Sequence, residues 1–397
     1  MVVGEVRFVK KISNLLKTNR IIYYIYNFLF SFLLRVIGLF IKIDDKLVLF
    51  NSFGGKKFDD SPKAIYEYMK SNKKYSDYKL IWALNDPHVV DGLDVMVVKN
   101  NSFKFFLTAL KAGYWITNSS MERGLKFKKK KTFYINTWHG SVIKKIDVKK
   151  ERLSFRVSES DCLYAQSHID VDYFSEKWSY PKEKIALCGY PRNDELCHFD
   201  KKEEVALKKK LGIPLDKKVI IYAPTFRDND YDSNGCYIAP PIDLKKWKTQ
   251  LESEYVLLFR AHYEINKVLN IIDDDFIYNV TDYPCLNDLL KISDIMISDY
   301  SSIMIDYSIL ERPIFCFAYD YEKYLEERGF AYDIKKELPN GIVKTEDELL
   351  KQIANIDLGD QRNKTIRFRS KHLEVFGNAS KYVDTIIGLR EDLNEKK

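Results

Sequence analysis

Short apolar runs alternate with stretches of helical period along most of this chain. Before residue 200 the runs predict seven strands, at 47–50, 80–84, 95–98, 114–117, 133–136, 162–166 and 185–188. After residue 210 they predict five more, at 219–223, 255–259, 276–279, 295–297 and 314–317. Strands that alternate with helices in this way indicate an α/β protein built on parallel sheets.

The two sets of strands predict two Rossmann-like domains, and a length of 397 residues agrees with two domains. The lysine- and glutamate-rich segment Lys201–Lys210 separates them. We therefore predict an N-terminal segment at 1–45, a first domain at 46–200 and a second domain with C-terminal helices at 201–397. Two such domains that face each other form a cleft, and ligands of such folds bind at the carboxyl ends of the strands.

The most apolar window, at 21–43, is interrupted by polar or small residues every three or four positions. These are Asn27, Ser31, Arg35, Gly38 and Lys42, which share one face of a helix. Because the largely apolar part ends at Arg35, short of the roughly 20 residues that cross a bilayer, we predict an amphipathic helix that lies in the membrane surface. Packing of this helix against the first domain is one alternative, and insertion across the membrane is a second, less favoured one.

Charge and cysteine content change this picture little. The net charge is +7, with 46% hydrophobic and 30% charged residues, which is typical of a globular protein. Basic residues cluster near the N-terminus (Arg7, Lys10, Lys11, Lys17, Arg20) and in the middle of the chain (Lys126, Lys128, Lys129, Lys130, Lys131, Lys144, Lys145, Lys149, Lys150). Such clusters suit anionic lipid or phosphate polymers, and no nucleic-acid-binding module accompanies them. The six cysteines contain no Cys-x-x-Cys pair, so reduced thiols are expected.

Five polar clusters follow predicted strands directly, at 136–140, 189–194, 223–228, 260–262 and 298–302. The last one, Ser298-Asp299-Tyr300-Ser301-Ser302, precedes a helical pattern and predicts an anion site at a helix start, with simple N-capping as the alternative. Arginine, histidine and serine together suggest phosphate chemistry. The chain contains no Walker loop and no Gly-x-Gly-x-x-Gly fingerprint.

Two acidic triplets raise the question of a metal. Asp228-Asn229-Asp230 has the Asp-x-Asp form of metal-dependent sugar transferases, and Asp273-Asp274-Asp275 is a second candidate. Such triplets arise often by chance. We therefore predict no metal site and no cofactor.

The motifs together resemble the CDP-glycerol glycerophosphotransferase family, whose members build teichoic acids in Gram-positive bacteria. They are TWHG at 137–140, GYPRND at 189–194, YAPTFRD at 222–228, RAH at 260–262, TDYP with ND at 281–288, and SDYSS, DY and RP at 298–313. The resemblance covers residues 47–330. It implies a GT-B-like fold, a CDP-alcohol held mainly by the second domain, and peripheral attachment to the cytoplasmic face of the membrane.

The chain departs from the family pattern at two places. Ser141-Val142 stands where the family usually has Thr-Pro after TWHG, although Lys144 is retained, and Cys285 stands where Asp is frequent. The first departure lies on the acceptor side, so it affects the acceptor's identity more than the reaction.

The resemblance implies transfer of glycerol phosphate or ribitol phosphate from a CDP-alditol, with release of CMP. The acceptor is a hydroxyl of a lipid-linked, undecaprenyl-type glycan or of a growing teichoic acid or capsular polymer. We predict His139 as the general base, with His262 as a second catalytic residue. The predicted donor-binding residues are Arg260, His262, Ser301, Ser302, Arg227 and Thr225, and those of the acceptor or phosphate side are Lys144, Arg192 and Asn193.

Two other functions stay open at this stage. One is a GT-B glycosyltransferase that uses a nucleotide sugar in cell-surface polysaccharide synthesis, and the other is a catalytically silent membrane scaffold. The choice between glycerol and ribitol is open as well. The sequence shows no large extra N-terminal domain, which slightly favours a primase or a short-acting enzyme, and the choice between a primase and a polymerase is open.

Overall fold

The computed structural model describes residues 20–122, 124–146, 159–227 and 239–395, and only the backbone at 20, 263–264 and 392–395. Four of the sequence features discussed above lie outside the described residues. They are the basic residues at 7–17, Lys149 and Lys150, the triplet 228–230, and Cys236.

Within the described residues, seven strands form the first sheet: β1 (Asp44–Asn51), β2 (Lys79–Leu84), β3 (Met96–Lys99), β4 (Ala112–Thr117), β5 (Phe133–Asn136), β6 (Cys162–Ala165) and β7 (Ile185–Leu187). In the same part of the chain, five strands form the second sheet: β8 (Lys218–Tyr222), β9 (Tyr255–Phe259), β10 (Ile277–Asn279), β11 (Ile295–Ser298) and β12 (Ile314–Cys316). Each predicted strand overlaps an observed one, so the strand assignment is confirmed.

Both sheets have the strand order of a doubly wound α/β fold. The orders are β3-β2-β1-β4-β5-β6-β7 and β10-β9-β8-β11-β12. β1 pairs in parallel with β2 and β4, and β8 pairs in parallel with β9 and β11. The order reverses next to β1 and next to β8, and loops at such switch points are where ligands bind in these folds.

Fourteen α-helices lie among the described residues. They are α1 (Arg20–Leu39), α2 (Asp60–Ser71), α3 (Phe103–Lys111), α4 (His168–Trp178), α5 (Lys201–Lys210), α6 (Leu244–Leu251), α7 (Tyr263–Leu269), α8 (Leu286–Ile292), α9 (Ile303–Tyr307), α10 (Tyr321–Glu327), α11 (Ile334–Glu337), α12 (Glu346–Ala354), α13 (Leu358–His372) and α14 (Tyr382–Glu395). Short 3-10 helices include Phe53–Gly55, Pro191–Leu196 and Ser308–Leu310.

The second sheet has an apolar core on each face. Ile221, Leu258 and Met296 belong to one core cluster. Their sequence neighbours Ile220, Leu257 and Ile297 belong to the other. Successive side chains of a strand point to opposite faces, so a sheet that is covered on both faces needs continuous apolar runs, which is the pattern seen in the sequence.

The chain divides into two compact units, each described separately below. Unit 1 comprises Met1–His139, Val148–Tyr164 and Glu183–Ala186, and unit 2 comprises Gly140–Asp147, Ala165–Lys182 and Leu187–Lys397. Within unit 2, Asp194 accepts backbone hydrogen bonds from Ala379 and Ser380, both at 2.8 Å, so the GYPRND loop packs with residues near the C-terminus. The domain bounds at 45 and 200 stay predictions.

Helix α1 packs on unit 1 through its polar stripe, which is the helix face that carries Asn27, Ser31 and Arg35. The Asn27 side chain donates to the Gly124 carbonyl (2.9 Å), the Ser31 hydroxyl accepts from the Lys126 amide (2.9 Å), and Arg35 donates to the Lys126 carbonyl (2.8 Å). The helix ends at Leu39, so Lys42 lies beyond it and is not part of the stripe. The polar stripe therefore faces the protein.

The opposite side of α1 is an exposed apolar face. Phe28 is 69% exposed and Phe32 60% exposed, and the other exposed apolar side chains of this stretch are Ile21, Tyr24, Ile25, Tyr26, Leu29, Leu33, Val36, Leu39 and Phe40. By length and composition, Ile21–Leu39 is the segment of the described chain that could cross a membrane. Phe30 and Leu34 contact the unit instead, with the Phe30 ring 5.3 Å from that of Phe106 in α3.

Candidate active site

Asp299 joins the loops that follow β8 and β11 in unit 2. Its carboxylate accepts hydrogen bonds from the Thr225 amide (2.9 Å), from the Arg227 guanidinium (2.9 Å) and from the Tyr300 amide (2.6 Å). It is 1% exposed. Because these two loops flank the point where the strand order reverses, Asp299 fixes the backbone of the second sheet's switch point.

Arg227 lies in the same cluster, between two carboxylates. It donates a pair of hydrogen bonds to Asp320, at 2.8 and 3.1 Å, in addition to the bond to Asp299. Its guanidinium lies over the rings of Tyr300 and Tyr324, at 4.8 and 5.0 Å. Burial raises the pKa of Asp320, but the hydrogen bonds and the charge of Arg227, together with the hydrogen bond from Tyr300, outweigh it and hold the pKa below the ordinary value. Arg227 thus holds together the loops that follow β8, β11 and β12.

The loop after β9 carries Arg260 and His262. The Arg260 side chain donates to the backbone carbonyls of Val280 and Tyr283, both at 2.8 Å, and so fixes the start of the TDYP segment. His262 is exposed, and its ring lies against the Phe226 ring with centroids 4.0 Å apart. Phe226 belongs to the loop after β8, so this contact brings the loops after β8 and β9 together.

Ser301 and Ser302 precede the short helix α9. The Ser301 hydroxyl accepts from the Ile303 amide at 3.3 Å, whereas Ser302, at the N-cap position, makes no side-chain capping bond. Ser301 therefore binds the first amide of the helix from one residue before the N-cap position, and simple N-capping does not describe Ser302. The Ser302 hydroxyl instead lies at Gly140, where a Cβ would come within 2.6 Å of its Oγ. Only glycine at position 140 leaves that space.

His139 lies in unit 1, at the end of β5. Its Nδ1 is 2.7 Å from the carbonyl oxygen of Asn118. A carbonyl oxygen can only accept, so Nδ1 carries the proton and Nε2 has the basic lone pair of the neutral ring. The imidazole is exposed. It also contacts two rings, those of Trp138 (4.1 Å between centroids) and Phe53 (6.0 Å).

The backbone before His139 adopts an uncommon conformation. Trp138 has a φ of 54°, which is unfavourable for a bulky side chain. The Asn136 side chain compensates in part, since it accepts from the Trp138 amide at 2.9 Å and donates to the Ser119 carbonyl at 2.8 Å. This turn directs the neighbouring imidazole out of the fold. Trp138 itself is buried.

Sequence reasoning missed the residues that hold His139. Asn118 follows β4 and Phe53 follows β1, and the Phe53 amide donates to the Asn118 side-chain oxygen at 2.8 Å. The signal was present: Asn51-Ser52 and Asn118-Ser119-Ser120 are polar runs at the ends of two apolar strands. The strand-end rule that selected the other five clusters applies to them equally.

The residues predicted for the acceptor or phosphate side all lie in unit 2. Arg192 donates to Asp306 at 2.9 and 3.2 Å, and Asn193 donates to the same carboxylate at 2.8 Å. Asp306 belongs to α9, so these contacts tie the GYPRND loop to the helix that follows Ser302. Lys144 forms an antiparallel bridge with Phe330, and its ammonium lies 5.8 Å from the Tyr324 ring.

Among the described residues, the structure has no cluster of three or more His, Cys, Asp or Glu side chains that could hold a metal ion. Of the triplet 273–275, Asp274 and Asp275 pair with Lys248, and Asp274 also accepts the Phe276 and Ile277 amides. Asp274 thus takes part in a turn, and both carboxylates pair with Lys248.

A family model described as CDP-glycerol:poly(glycerophosphate) glycerophosphotransferase matches residues 33–387. The chain is 33% identical, over 91% of its length and 96% of the relative's, to the teichoic acid poly(glycerol phosphate) polymerase of Bacillus spizizenii. It is 36% identical, over 83% of its length and 88% of the relative's, to the teichoic acid glycerol-phosphate transferase of Staphylococcus aureus. It spans about half (52%) of the polymerase of Staphylococcus epidermidis.

Among solved structures, the chain is similar to a histidine-to-asparagine variant of the wall teichoic acid polymerase TagF soaked with CDPG. The TM-score is 0.77, with 33% identity over 89% of this chain and 90% of that one. The match confirms the parallel α/β fold and agrees with the family model. The chain belongs to the CDP-glycerol:poly(glycerophosphate) glycerophosphotransferase family.

Proposed function

We propose that this protein transfers glycerol phosphate or ribitol phosphate from the corresponding CDP-alditol to an acceptor hydroxyl in teichoic acid synthesis, and releases CMP. Membership of the family and the similarity to the Bacillus and Staphylococcus enzymes support this activity. The observation that carries it in this chain is the exposed imidazole of His139, whose Nδ1 proton is fixed by the Asn118 carbonyl.

In this mechanism His139 is the general base. Its Nε2 takes the proton of the acceptor hydroxyl as the oxygen attacks the β-phosphorus of the CDP-alditol. The bond between that phosphorus and the bridging oxygen breaks, and the bridging oxygen leaves on CMP with the electron pair. A base in this position typically contributes ~10²–10⁴-fold to the rate.

The donor's diphosphate is bound in unit 2 by Arg260, His262, Ser301, Ser302 and Thr225. Phosphoryl transfer depends on positioning and on charge stabilisation, and this set supplies hydrogen-bond donors and positive charge. The Thr225 hydroxyl is buried and has no hydrogen-bond partner among the described residues. We assign Arg227 to positioning, because its guanidinium bridges Asp299 and Asp320.

The fold class that goes with this activity is GT-B-like. The reaction needs no resident cofactor, and a metal requirement is tested by running the assay with and without a chelator. Lys144, Arg192 and Asn193 act on the acceptor or phosphate side, Arg192 and Asn193 through their hold on Asp306.

The acceptor is a lipid-linked, undecaprenyl-type glycan or a growing polymer, and the protein attaches peripherally to the cytoplasmic face of the membrane. Helix α1 supports this location, because its polar stripe is used within unit 1 and its apolar face is exposed. Lys126 and Lys130 are exposed in the segment that α1 packs on, and such lysines favour anionic headgroups.

The test is a donor screen with CDP-glycerol, CDP-ribitol and UDP-sugars, in which nucleotide release and product length are measured with a lipid-linked acceptor. We expect CMP from a CDP-alditol, and loss of that signal in His139→Ala. His88→Ala is the matched control, since His88 is exposed in unit 1 and pairs only locally with Asp91. Release of UDP from a nucleotide sugar would instead identify a glycosyltransferase, and no release from any pair would favour a silent scaffold.

A further inference from the structure

The segment after His139 is held by one buried carboxylate, that of Asp170. Its Oδ1 accepts the Val142 amide at 2.9 Å, and its Oδ2 accepts the Ser141 hydroxyl at 3.0 Å. The Tyr190 hydroxyl lies 3.4 Å from the same Oδ2. Asp170 sits in the first turn of α4 and is 1% exposed, so this carboxylate is out of reach of solvent.

Both hydrogen-bond donors to Asp170 come from the two residues that follow Gly140 in this chain, Ser141 and Val142. Serine supplies the hydroxyl, and valine supplies a backbone N–H that a proline at the same position would lack. The departure at Ser141-Val142 therefore has a structural partner. In this chain both residues bond to Asp170.

Asp170 is one end of a continuous buried network within unit 2. The Gln166 amide donates to the Ser141 hydroxyl, and Asn193 donates to the Gln166 oxygen at 3.3 Å. Asn193 also donates to Asp306, which lies in the helix that starts after Ser302. The network thus connects Ser141, through Gln166 and Asn193, to Asp306 in the helix that follows the Ser301-Ser302 loop.

A direct contact connects the same two segments. Gly140 lies against the Ser302 hydroxyl, and its carbonyl is 3.4 Å from the Tyr190 hydroxyl. A shift of residues 141–142 would move Gly140 off Ser302.

We propose that Asp170 is a positioning residue for the transfer: by binding Ser141 and Val142 it holds Gly140 against the Ser302 hydroxyl, which is assigned to the donor's diphosphate. This inference rests on the proposed function of Ser302. Asp170 itself does not touch the substrate.

The energetic cost of burying the Asp170 carboxylate agrees with a positioning role. Burial raises the pKa of Asp170 to about 6, which means that the fold disfavours the charged form. A group that served stability alone would be better as a neutral residue of the same size. An ionised carboxylate accepts from both donors at once, and this is what positioning of the segment requires.

The kinetic test compares Asp170→Asn with Asp172→Asn. Asp172 lies on the same helix but is exposed and pairs with Lys182 at 2.9 Å. With CDP-glycerol, we expect Asp170→Asn to lower kcat by about tenfold or more while the dissociation constant changes less than about threefold, because small displacements of a group that positions the diphosphate act mainly on turnover. Asp172→Asn should retain wild-type kcat. A kcat for folded Asp170→Asn equal to that of the wild type would overturn the proposal.

A double-mutant cycle with Ser141→Ala tests the route of the effect. Since the two residues act through one hydrogen bond, the double variant should be little worse than Asp170→Asn alone. Fully additive losses in kcat would show that Ser141 and Asp170 act independently, against the proposal.

Hydrogen exchange of the peptide that covers residues 137–146 separates this inference from the proposed function. Exchange should rise in Asp170→Asn and stay unchanged in Asp172→Asn, whether or not CMP is released. If the wild type released no CMP with any CDP-alditol, the proposed function would fail, whereas unchanged exchange in Asp170→Asn would refute the role of Asp170.

Discussion

The Nδ1 of His139 lies 2.7 Å from the carbonyl oxygen of Asn118. This single contact fixes both the orientation and the tautomer of the imidazole, because the carbonyl accepts the Nδ1 proton. The nitrogen that remains basic is Nε2. A substitution at 139 can therefore keep the contact while it removes the base.

His139→Asn keeps the contact with the Asn118 carbonyl and removes the base. The asparagine amide can still donate to the Asn118 carbonyl but offers no basic nitrogen at the Nε2 position. We expect CMP release to fall by ~10²–10⁴-fold, with CDP-glycerol binding within about threefold of the wild type by calorimetry. His88→Asn serves as the control. Wild-type turnover in His139→Asn would remove His139 from the mechanism.

Arg227→Lys tests the tie between Asp299 and Asp320. Lysine cannot reproduce the paired bonds to Asp320 together with the bond to Asp299. Because the cluster is buried, we expect the free energy of unfolding to fall by about 2–4 kcal/mol in urea titrations, with a higher KM for the CDP-alditol.

Arg362→Lys provides a matched control for this substitution. Arg362 is 64% exposed in its ion pair with Glu311, and replacing it should change the unfolding free energy by less than about 0.5 kcal/mol. Equal effects of the two substitutions would contradict the assignment of Arg227 to positioning.

Gly140→Ala tests the space beside Ser302. The new Cβ would come within 2.6 Å of the Ser302 Oγ, so we expect a loss of about 1–3 kcal/mol of unfolding free energy and a marked loss of activity. Adding Ser302→Ala removes the clashing oxygen and leaves a Cβ at 3.5 Å. The double variant should recover stability but not turnover; failure to recover stability would show that the clash is elsewhere.

Glu122 provides a pH-dependent stability test in unit 1. Burial raises the pKa of this carboxyl to about 7 in the folded state, from an ordinary value of 4.5. The folded protein therefore holds a proton that the unfolded chain loses, and this group's contribution to stability declines as the pH rises from 4.5 through 7.

Glu122→Gln removes that decline. Relative to the wild type, we expect a gain of up to about 3 kcal/mol in unfolding free energy at pH 8 and no gain at pH 4.5, measured by urea unfolding. A gain of the same size at both pH values would mean that charge is not its cause.

The exposed face of α1 gives a membrane-binding test. Phe28→Glu and Phe32→Glu each place a charge on that face, and sedimentation with vesicles that contain phosphatidylglycerol should show at least about a tenfold weaker partition. Leu93→Glu is the control, because Leu93 is 55% exposed in unit 1 outside α1. Unchanged partition of both phenylalanine variants would place the membrane contact elsewhere.

The apolar runs of the sequence determined the strands and the loops between them. A strand buried on both faces must be apolar at every position, so β8, β9 and β11 can be predicted from local composition alone. Their ends can be predicted for the same reason, and the polar clusters at 223–227, 260–262 and 298–302 follow these ends directly. The same rule applied to β1 and β4 would have found Phe53 and Asn118.

Only the tertiary structure decided which of those side chains the fold itself uses. Arg227 binds Asp299 and Asp320, which lie 72 and 93 residues further along the chain, and no local pattern announces such partners. The sequence also did not show what the polar stripe of α1 contacts, because periodicity identifies one side of a helix but not the partner of that side. Elements form from short-range burial, whereas pairings between loops depend on strand order and register, which the chain acquires only when the sheets assemble.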